Sequence, residues 1–511
     1  MRADVSLASG RAAGRQDTVK AGGRTLLIVG AVVAAVAAIA YLVALATHPM
    51  NAMLKGFDLQ VYLGGAHQAL HHSHNLYTWY YDGHRGIQFT YTPFAALAFA
   101  AGLALPFKAL MAVATVVSLF ALVATIWIAF RQLGWEKTSR LGATLLLSGL
   151  LLWTEPVQRA LYLGQVELVL MALVVWDLSQ PDNRRWKGAA TGIAAGIKLV
   201  PLLFIAYLLL TRRFRQAAVA AGTFVVTVII GFIALPNASV TWWLDGDFIQ
   251  AGRTGFVGGQ QNQSLRGIMT RFIGSVNVTV APWLLIAIVV GLVGLAAAVI
   301  LDQHGYTFAG LLATALTALL VSPISWDHHW VWIAPGLALI VDAAVRAGRA
   351  GATGLRTAWY ALAVVVLIVF AAWPDFWKST AGLLQGGLIN YAPAAPFPSG
   401  DNPRYPEYHW HGLQLIAGNL DLLAGLGLFV VVLAVAFPLY RAGRQNRVNP
   451  LADSRCGMQQ FGPCRHSYRR SQSTAARIRA TLRRSPLPPP PSAACLRSGA
   501  SAWSTAAVTS A

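Results

Sequence analysis

Asp58 is the residue whose type and setting best suit acid–base chemistry in this 511-residue sequence. It stands in the stretch KGFDLQVY, residues 55–62, directly after the first long apolar segment. A carboxylate beside a bilayer, partly shielded by Phe57 and Tyr62, can have a shifted pKa and act as a general base. Asp58 could instead be the N-cap of the helix that the following residues favour. The stretch alone leaves both interpretations open.

Lys198 is a basic residue inside the apolar run Gly188–Leu210. A lysine in such a run is costly unless it faces a cavity or an anion. The alternative is that its ammonium group reaches the membrane surface along its own aliphatic chain. Because Pro201 follows closely, the run is predicted to break at residues 198–201 into two short helices.

The composition indicates an integral membrane protein made of helices. Hydrophobic residues make up 56% of the chain and charged residues 11%, and the apolar residues fall into repeated blocks. A soluble domain would mix polar and apolar residues more evenly. The first block, Leu26–Ala46, has no small-residue cleavage site behind it. We therefore interpret it as a retained span and not as a removed signal peptide.

Basic clusters between the apolar blocks set the predicted topology. Placing them in the cytoplasm gives an all-α bundle of about twelve transmembrane helices with both termini inside. Residues 50–92 are predicted to add amphipathic helices at the extracytoplasmic interface. Several crossings are short, which suggests broken helices around a cavity open to that face. The predicted topology places these polar residues on the same face: Asp58, Tyr91, Gln165, Lys198, Asn262, Arg266, His328 and His329.

The C-terminal tail differs from the rest of the chain. Much of the net charge of +20 lies after Tyr440, where the arginines are opposed by Asp453 alone. We expect residues 441–511 to form a disordered, Pro/Ser-rich cytoplasmic tail that contacts anionic lipids. Before it we expect a cytoplasmic segment over residues 1–23 and a membrane domain over residues 24–440. Nucleic-acid binding is disfavoured because no aromatic platform accompanies the arginines. The tail also contains all three cysteines, Cys456, Cys464 and Cys495.

An ordered series of short motifs gives the sequence a family resemblance. The motifs are FDLxVY (57–62), LY (76–77), FTYTP (89–93), LGQ (163–165), GIKLVP (196–201), NQSL (262–265) and SPxSWxHH (322–329). In this order they resemble glycosyltransferase family 87 of the GT-C superfamily, over roughly residues 56–337. Its members are actinobacterial polyprenyl-phosphate-mannose-dependent alpha-1,2-mannosyltransferases. The family usually has a Tyr-Pro-Pro-like stretch where this chain has Tyr91-Thr92-Pro93.

The resemblance implies a GT-C type bundle in the plasma (inner) membrane that transfers mannose with inversion. Its donor would be polyprenyl-phosphate mannose, loaded from the outer leaflet, although a pentose in the donor is conceivable. Its acceptor would be a mannosylated glycolipid, with phosphatidylinositol mannoside, lipomannan and lipoarabinomannan all open. No cofactor is expected. Because one phosphate needs less metal assistance than a pyrophosphate, we predict metal independence.

The resemblance also suggests which residues do the chemistry. Asp58 would take the proton of the acceptor hydroxyl. Cations and hydrogen-bond donors would stabilise the departing phosphate, and the candidates are Lys198, Arg266, His328 and His329. The candidates for sugar or acceptor binding are Gln165, Asn262, Gln263, Tyr62 and Trp326. Alternatively, the two imidazoles bond only to backbone or water, and the arginine only anchors a helix.

Two other functions and one other site fit parts of the sequence. A polyprenyl-lipid flippase would use the short helices and Lys198 to line a translocation path. A structural membrane subunit is disfavoured because the polar motifs concentrate on one face. His67 and His71 are one helical turn apart and, with His72 and His74, could bind zinc. We interpret these four as polar surface residues.

Overall fold

The computed structural model describes residues 2–48, 53–81, 87–372, 387–394, 402 and 404–448, and helices dominate them. Contacts divide the chain into two units, Met1–Gln445 and Asn446–Ala511. The first unit contains every candidate site residue. The predicted tail, from residue 449 onward, and His84 lie outside the described residues.

The first half of the chain forms nine helices among the described residues. They are α1 Arg2–Thr47, α2 Phe57–His71, α3 Pro93–Ala100, α4 Phe107–Gln132, α5 Lys137–Leu151, α6 Glu155–Leu163, α7 Glu167–Leu178, α8 Ala189–Ile197 and α9 Leu202–Leu210. The short lengths of α6 to α9 match the interrupted apolar runs of the sequence. Each interruption brings polar residues to a helix end inside the fold.

The second half of the described chain adds nine more helices. They are α10 Phe214–Ala234, α11 Pro236–Ser239, α12 Leu265–Ile273, α13 Val280–Gln303, α14 Thr307–Val321, α15 Ile333–Arg349, α16 Thr353–Val369, α17 Leu413–Ala417 and α18 Leu420–Val448. A short 3-10 helix, Asp327–Trp332, leads into α15. Strand pairing within the described ranges is limited to isolated bridges, such as the one between Asn262 and Trp326.

Within the described ranges, six helical segments are long and apolar enough to cross a membrane. They are Gly22–Thr47, Phe107–Gln132, Phe214–Ala234, Val280–Gln303, Asp327–Arg349 and Leu420–Ala442. The pair α6 and α7 raises the number to seven if it forms one bent span. Side chains such as Phe120 and Ile233 are 74% and 78% exposed on these segments, as expected for surfaces that face lipid. The all-α membrane fold is confirmed, whereas the other crossings of the predicted twelve stay a prediction.

Two breaks between short helices shape the interior. Helices α6 and α7 meet at an angle of 115°. Gly164 ends α6 with a positive φ of 70°, and a Cβ there would lie 2.8 Å from the Cβ of Leu59. Glycine is therefore favoured here both by backbone conformation and by the close approach of α2. The second break follows α8 at Lys198, whose backbone is extended, and it confirms the predicted interruption before Pro201.

Candidate active site

Asp58 lies in the first turn of α2 but does not cap it. The N-cap is Gly56, with a φ of 61°, and no side chain accepts a capping hydrogen bond there. The Gly56 N–H instead donates to the carbonyl of Tyr162 at 2.7 Å, which fixes the start of α2 against α6. The N-cap interpretation of Asp58 is therefore wrong. Its carboxylate contacts another side chain across the fold.

That side chain is Gln165, whose Nε2 donates to Asp58 Oδ2 at 2.5 Å. The Tyr62 hydroxyl donates to Gln165 Oε1, and the Tyr91 hydroxyl lies 2.8 Å from that of Tyr62. Because a tyrosine hydroxyl donates to the amide oxygen, the amide nitrogen must face the carboxylate. Gln165 and Tyr62, both predicted for the site, therefore form one connected network with Tyr91 that orients Asp58.

The surroundings of Asp58 make it a stronger base. Burial raises the pKa of Asp58 above its ordinary value, while the positive charge of His328 and the hydrogen bond from Gln165 oppose that shift. The charges of Glu167 and Arg159 also act on this carboxyl group. A carboxylate with a raised pKa accepts a proton more readily, as general base catalysis requires.

Lys198 provides the cationic side. Its Nζ donates to Glu167 Oε1 and lies 2.8 Å from His329 Nε2. The ammonium also lies 5.6 Å from the centre of the Tyr91 ring, at the edge of the tyrosine network. Glu167 and His329 are buried, and 20% of the lysine side chain is exposed. Lys198 is thus ion-paired inside the fold and does not extend to the membrane surface.

His328 is held by a different carboxylate, that of Asp327. Asp327 Oδ1 lies 3.0 Å from His328 Nδ1 and accepts from the His328 backbone N–H at 2.7 Å. Arg159 Nε lies 3.4 Å from the other oxygen of Asp327. His328 Nε2 is buried and has no hydrogen-bond partner among the described residues. One imidazole nitrogen is therefore fixed, and the other is available to a ligand.

Hydrogen bonds between distant motifs hold the two sides of the site together. The Thr92 hydroxyl accepts from the Ala95 N–H at 3.1 Å, which caps α3, and donates to the carbonyl of Gly196 on α8. The Tyr77 hydroxyl donates to the carbonyl of Tyr91 at 2.9 Å. These contacts fix the position of the tyrosine network relative to the end of α8. The lysine that follows α8 is therefore held near the network.

A cavity of about 50 Å³ lies beside the ion pair. Its polar end is formed by Glu167, Lys198 and His329. Its walls are largely apolar, and they include Leu170, Met171, Val174, Phe204, Ala315 and Leu319. A charged end beside apolar walls suits an amphipathic anion better than a free polar metabolite.

The polar end of the cavity also includes side chains that could bind a metal ion. Ligand atoms of Glu167, His328 and His329 lie within 4.8 Å of one another. A carboxylate and two imidazoles are suitable zinc ligands. However, the Lys198 ammonium already bonds to the carboxylate and to His329 Nε2. The positive charge at this point is therefore supplied by the chain itself, and the residues fit a metal ion poorly.

Two amides predicted to bind sugar are bonded to the backbone instead. Asn262 Nδ2 donates to the carbonyl of Val257 at 2.7 Å, and its Oδ1 accepts from the Ser325 N–H at 2.9 Å. Gln263 Nε2 donates to the carbonyls of Gln260 and Gly418 at 2.7 and 2.8 Å. Both side chains are fully buried. In this conformation they join loops to one another and do not line the cavity.

Arg266 and Trp326 also lie apart from the cavity lining. The Arg266 guanidinium is stacked on the ring of Trp283, 5.3 Å from its centre, and its side chain is largely buried. Trp326 pairs with Asn262 through a backbone bridge, and its ring is partly exposed. Neither residue contributes to the lining of the cavity at Lys198. Their predicted contacts with phosphate and sugar stay predictions.

Three charged residues at the site had no predicted role: Arg159, Glu167 and Asp327. Glu167 opens an apolar helix two residues after Gln165, and a carboxylate in such a segment is by itself a signal of function. Asp327 precedes the two histidines and fell on a variable position of their motif. Arg159 gave no comparable signal. Its importance depends on the folding of α6 against the 3-10 helix that follows Trp326.

Comparison with known proteins adds a family match. The model of glycosyltransferase family 87 matches residues 89–323, which include Gln165, Glu167 and Lys198. No solved structure shows a significant match. The matched range begins after Asp58, so the family model does not cover that residue.

Those alignments are with curated mycobacterial proteins. The chain is 32% identical over 331 residues to the polyprenol-phosphate-mannose-dependent alpha-(1-2)-phosphatidylinositol pentamannoside mannosyltransferase of Mycobacterium tuberculosis, covering 63% of this chain and 74% of that protein. The protein of the same name from Mycolicibacterium smegmatis is 32% identical over 330 residues, covering 63% and 78%. The alpha-(1-2)-phosphatidylinositol mannoside mannosyltransferase of Mycolicibacterium smegmatis is 31% identical over 329 residues, covering 60% and 74%.

Proposed function

Because the chain belongs to glycosyltransferase family 87, we propose that this glycosyltransferase moves mannose from polyprenyl-phosphate mannose to a mannosylated glycolipid. The observation that carries the proposal is the pairing of a base with a cationic cavity. Asp58 is held by Gln165 on one side, and Lys198 and His329 form the polar end of the cavity on the other. The new linkage is alpha-1,2, as in the names of the relatives.

The shape of the cavity supports a lipid-linked donor. The phosphate binds at Lys198 and His329, where the ammonium and the imidazole supply charge and hydrogen bonds. The polyprenyl chain then runs along the apolar wall formed by α7, α9 and α14. A free sugar nucleotide would leave those walls uncovered, so the apolar lining favours a lipid over a soluble donor.

The reaction is an inverting substitution at the anomeric carbon. Asp58 takes the proton of the acceptor hydroxyl, and the oxygen of that hydroxyl attacks the anomeric carbon of the donor. The bond from that carbon to the phosphate oxygen breaks, and the bonding electrons leave with the phosphate. Lys198, His328 and His329 stabilise the negative charge that builds on the phosphate oxygens. The proton ends on Asp58, and the product lipid is polyprenyl phosphate.

We also propose where the reaction takes place. The site opens to the extracytoplasmic face of the plasma membrane, in a GT-C type bundle of about twelve crossings with interfacial helices. The catalytic domain spans residues 24–440, between a cytoplasmic segment 1–23 and a cytoplasmic tail 441–511. The basic clusters of the sequence support this orientation, and the acceptor is of the phosphatidylinositol mannoside or lipomannan type.

The test uses purified protein in detergent with radiolabelled polyprenyl-phosphate mannose and a phosphatidylinositol mannoside acceptor. We expect a glycolipid that is longer by one mannose. An alpha-1,2-specific mannosidase should release that added residue as free mannose. Detergent removes the membrane, so a flippase would give no product in this assay. If the protein binds the donor but gives no product with any mannosylated acceptor, the proposed transfer is contradicted.

A further inference from the structure

Glu167 is a buried carboxylate at the polar end of the cavity that the proposed transfer reaction does not use. It is the first residue of α7, and 7% of its surface is exposed. Its Oε1 accepts from Lys198 and lies 3.3 Å from His329 Nε2. Its Oε2 is buried and has no hydrogen-bond partner among the described residues. Burying a carboxylate with one oxygen unbonded is unfavourable, so its presence at the ligand cavity requires a reason.

The charge of Glu167 weakens phosphate binding. Lys198 and His329 are the groups that would hold the phosphate, and the carboxylate contacts both of them. A bound phosphate must therefore share Lys198 with a second anion in a site largely shielded from water. A phosphate ligand that makes no favourable contact with Glu167 therefore binds more weakly than it would bind to Lys198 alone.

The two lipids of the proposed reaction differ at this point. The phosphate of the donor is a diester with one negative charge, whereas polyprenyl phosphate is a monoester. The second pKa of a phosphate monoester is about 6, so the product approaches two negative charges at neutral pH. Glu167 therefore repels the product more than the donor. Only the donor carries sugar hydroxyl groups beside its phosphate, and Oε2 of Glu167 accepts no hydrogen bond from the residues that the structure describes.

We propose that Glu167 selects the sugar-bearing donor over the sugar-free product. Its Oε2 accepts a hydrogen bond from a hydroxyl of the donor sugar, and its charge speeds the loss of polyprenyl phosphate after transfer. This proposal rests on the proposed function. It assigns Glu167 to substrate contact and sets it apart from the buried carboxylate of Asp421, which does not line the cavity.

The experiment measures equilibrium binding of polyprenyl phosphate and of polyprenyl-phosphate mannose to the full-length protein in detergent. The wild type is expected to bind the sugar-bearing lipid more tightly. In Glu167→Gln, polyprenyl phosphate is expected to bind about tenfold more tightly than in the wild type, with the sugar-bearing lipid changed less than about threefold. Polyprenyl phosphate also becomes a stronger inhibitor of turnover. Asp421→Asn, which replaces a buried carboxyl group that does not line the cavity, is the matched control and leaves the preference unchanged.

Equal changes in the affinities of the two lipids for Glu167→Gln would overturn the proposal. If that variant does not fold, Glu167→Asp replaces it. The aspartate keeps the charge but withdraws the oxygen, so the sugar-bearing lipid is expected to bind more weakly than to the wild type, while polyprenyl phosphate binds as weakly as before. A sugar-bearing lipid that binds Glu167→Asp as tightly as it binds the wild type also contradicts the proposal. A wild type that binds neither lipid refutes the proposed function itself, which separates the two failures.

Discussion

Two groups of buried polar residues in this protein have opposite relations to the cavity. In the candidate site, Asp58, Gln165 and Lys198 bond to other side chains, and His328 Nε2 has no hydrogen-bond partner in the described part of the chain. In the loop before α12, by contrast, Asn262 and its neighbours bond to backbone carbonyls and N–H groups. A polar side chain binds substrate through hydrogen-bonding capacity that the fold leaves unused. We therefore propose a chemical role for the first group and a structural role for the second.

The contrast is tested most strongly by Asp58→Asn. The amide cannot take a proton, so turnover is expected to fall by about 10³-fold, in the range for loss of a general base. Expression and donor binding stay close to wild type because the size of the side chain is preserved. Initial rates with labelled donor and separate donor-binding measurements check this. The exposed Asp245→Asn is the matched control, and turnover retained in purified Asp58→Asn removes this residue from the mechanism.

Lys198→Met is expected to have the next largest effect. It removes the ammonium that faces Glu167 and His329, and kcat/KM should fall by about 10²-fold, as for loss of one group that stabilises transition-state charge. Steady-state kinetics on the folded fraction measure the change. Lys108→Met neutralises an exposed lysine and serves as control. An unchanged kcat/KM in Lys198→Met would place the phosphate elsewhere.

The hydrogen bond from Gln165 makes a prediction about pH. Burial raises the pKa of Asp58 and this hydrogen bond lowers it, so Gln165→Ala should raise the pKa further. Only the ionised carboxylate acts as a base, so activity falls as the pH drops through the pKa. The acid limb of the pH–rate profile should therefore move to higher pH in the variant. A lower rate with an unmoved limb would show that Gln165 has only a structural role.

Gln263→Ala tests the structural group. Its amide bonds two carbonyls at 2.7 and 2.8 Å, and removing it leaves buried groups unsatisfied at a cost of about 1 to 3 kcal/mol in the free energy of unfolding. Thermal denaturation should detect the loss. The rate per folded molecule should change less than about threefold. A large loss of kcat/KM without a change in thermal stability would support the predicted sugar-binding role of Gln263.

Chelation is expected to have the smallest effect. Lys198 already provides positive charge at the carboxylate and imidazole that would bind zinc. Turnover with a single-phosphate donor should therefore be the same before and after dialysis against EDTA. A loss that Zn²⁺ or Mg²⁺ restores would contradict metal independence.

The sequence by itself determined the helical membrane class, the family and the break after α8. Each depends on local information: the length of apolar runs, the order of short motifs and the constraint that Pro201 places on the backbone. Asp58, Gln165, Lys198 and His329 could be proposed in the same way, because their residue types are costly or reactive beside a membrane.

Only the tertiary structure decided which polar atoms are available to a ligand. Gln165 meets Asp58 across 107 positions, and Lys198 meets His329 across 131. The same folding directs Asn262 to backbone partners and places Glu167 beside the lysine. Hydrophobicity and backbone constraints act on neighbouring residues, whereas a hydrogen-bond partner is chosen by packing between distant segments. For this reason the sequence indicated the types of group at the site, and the fold determined their contacts.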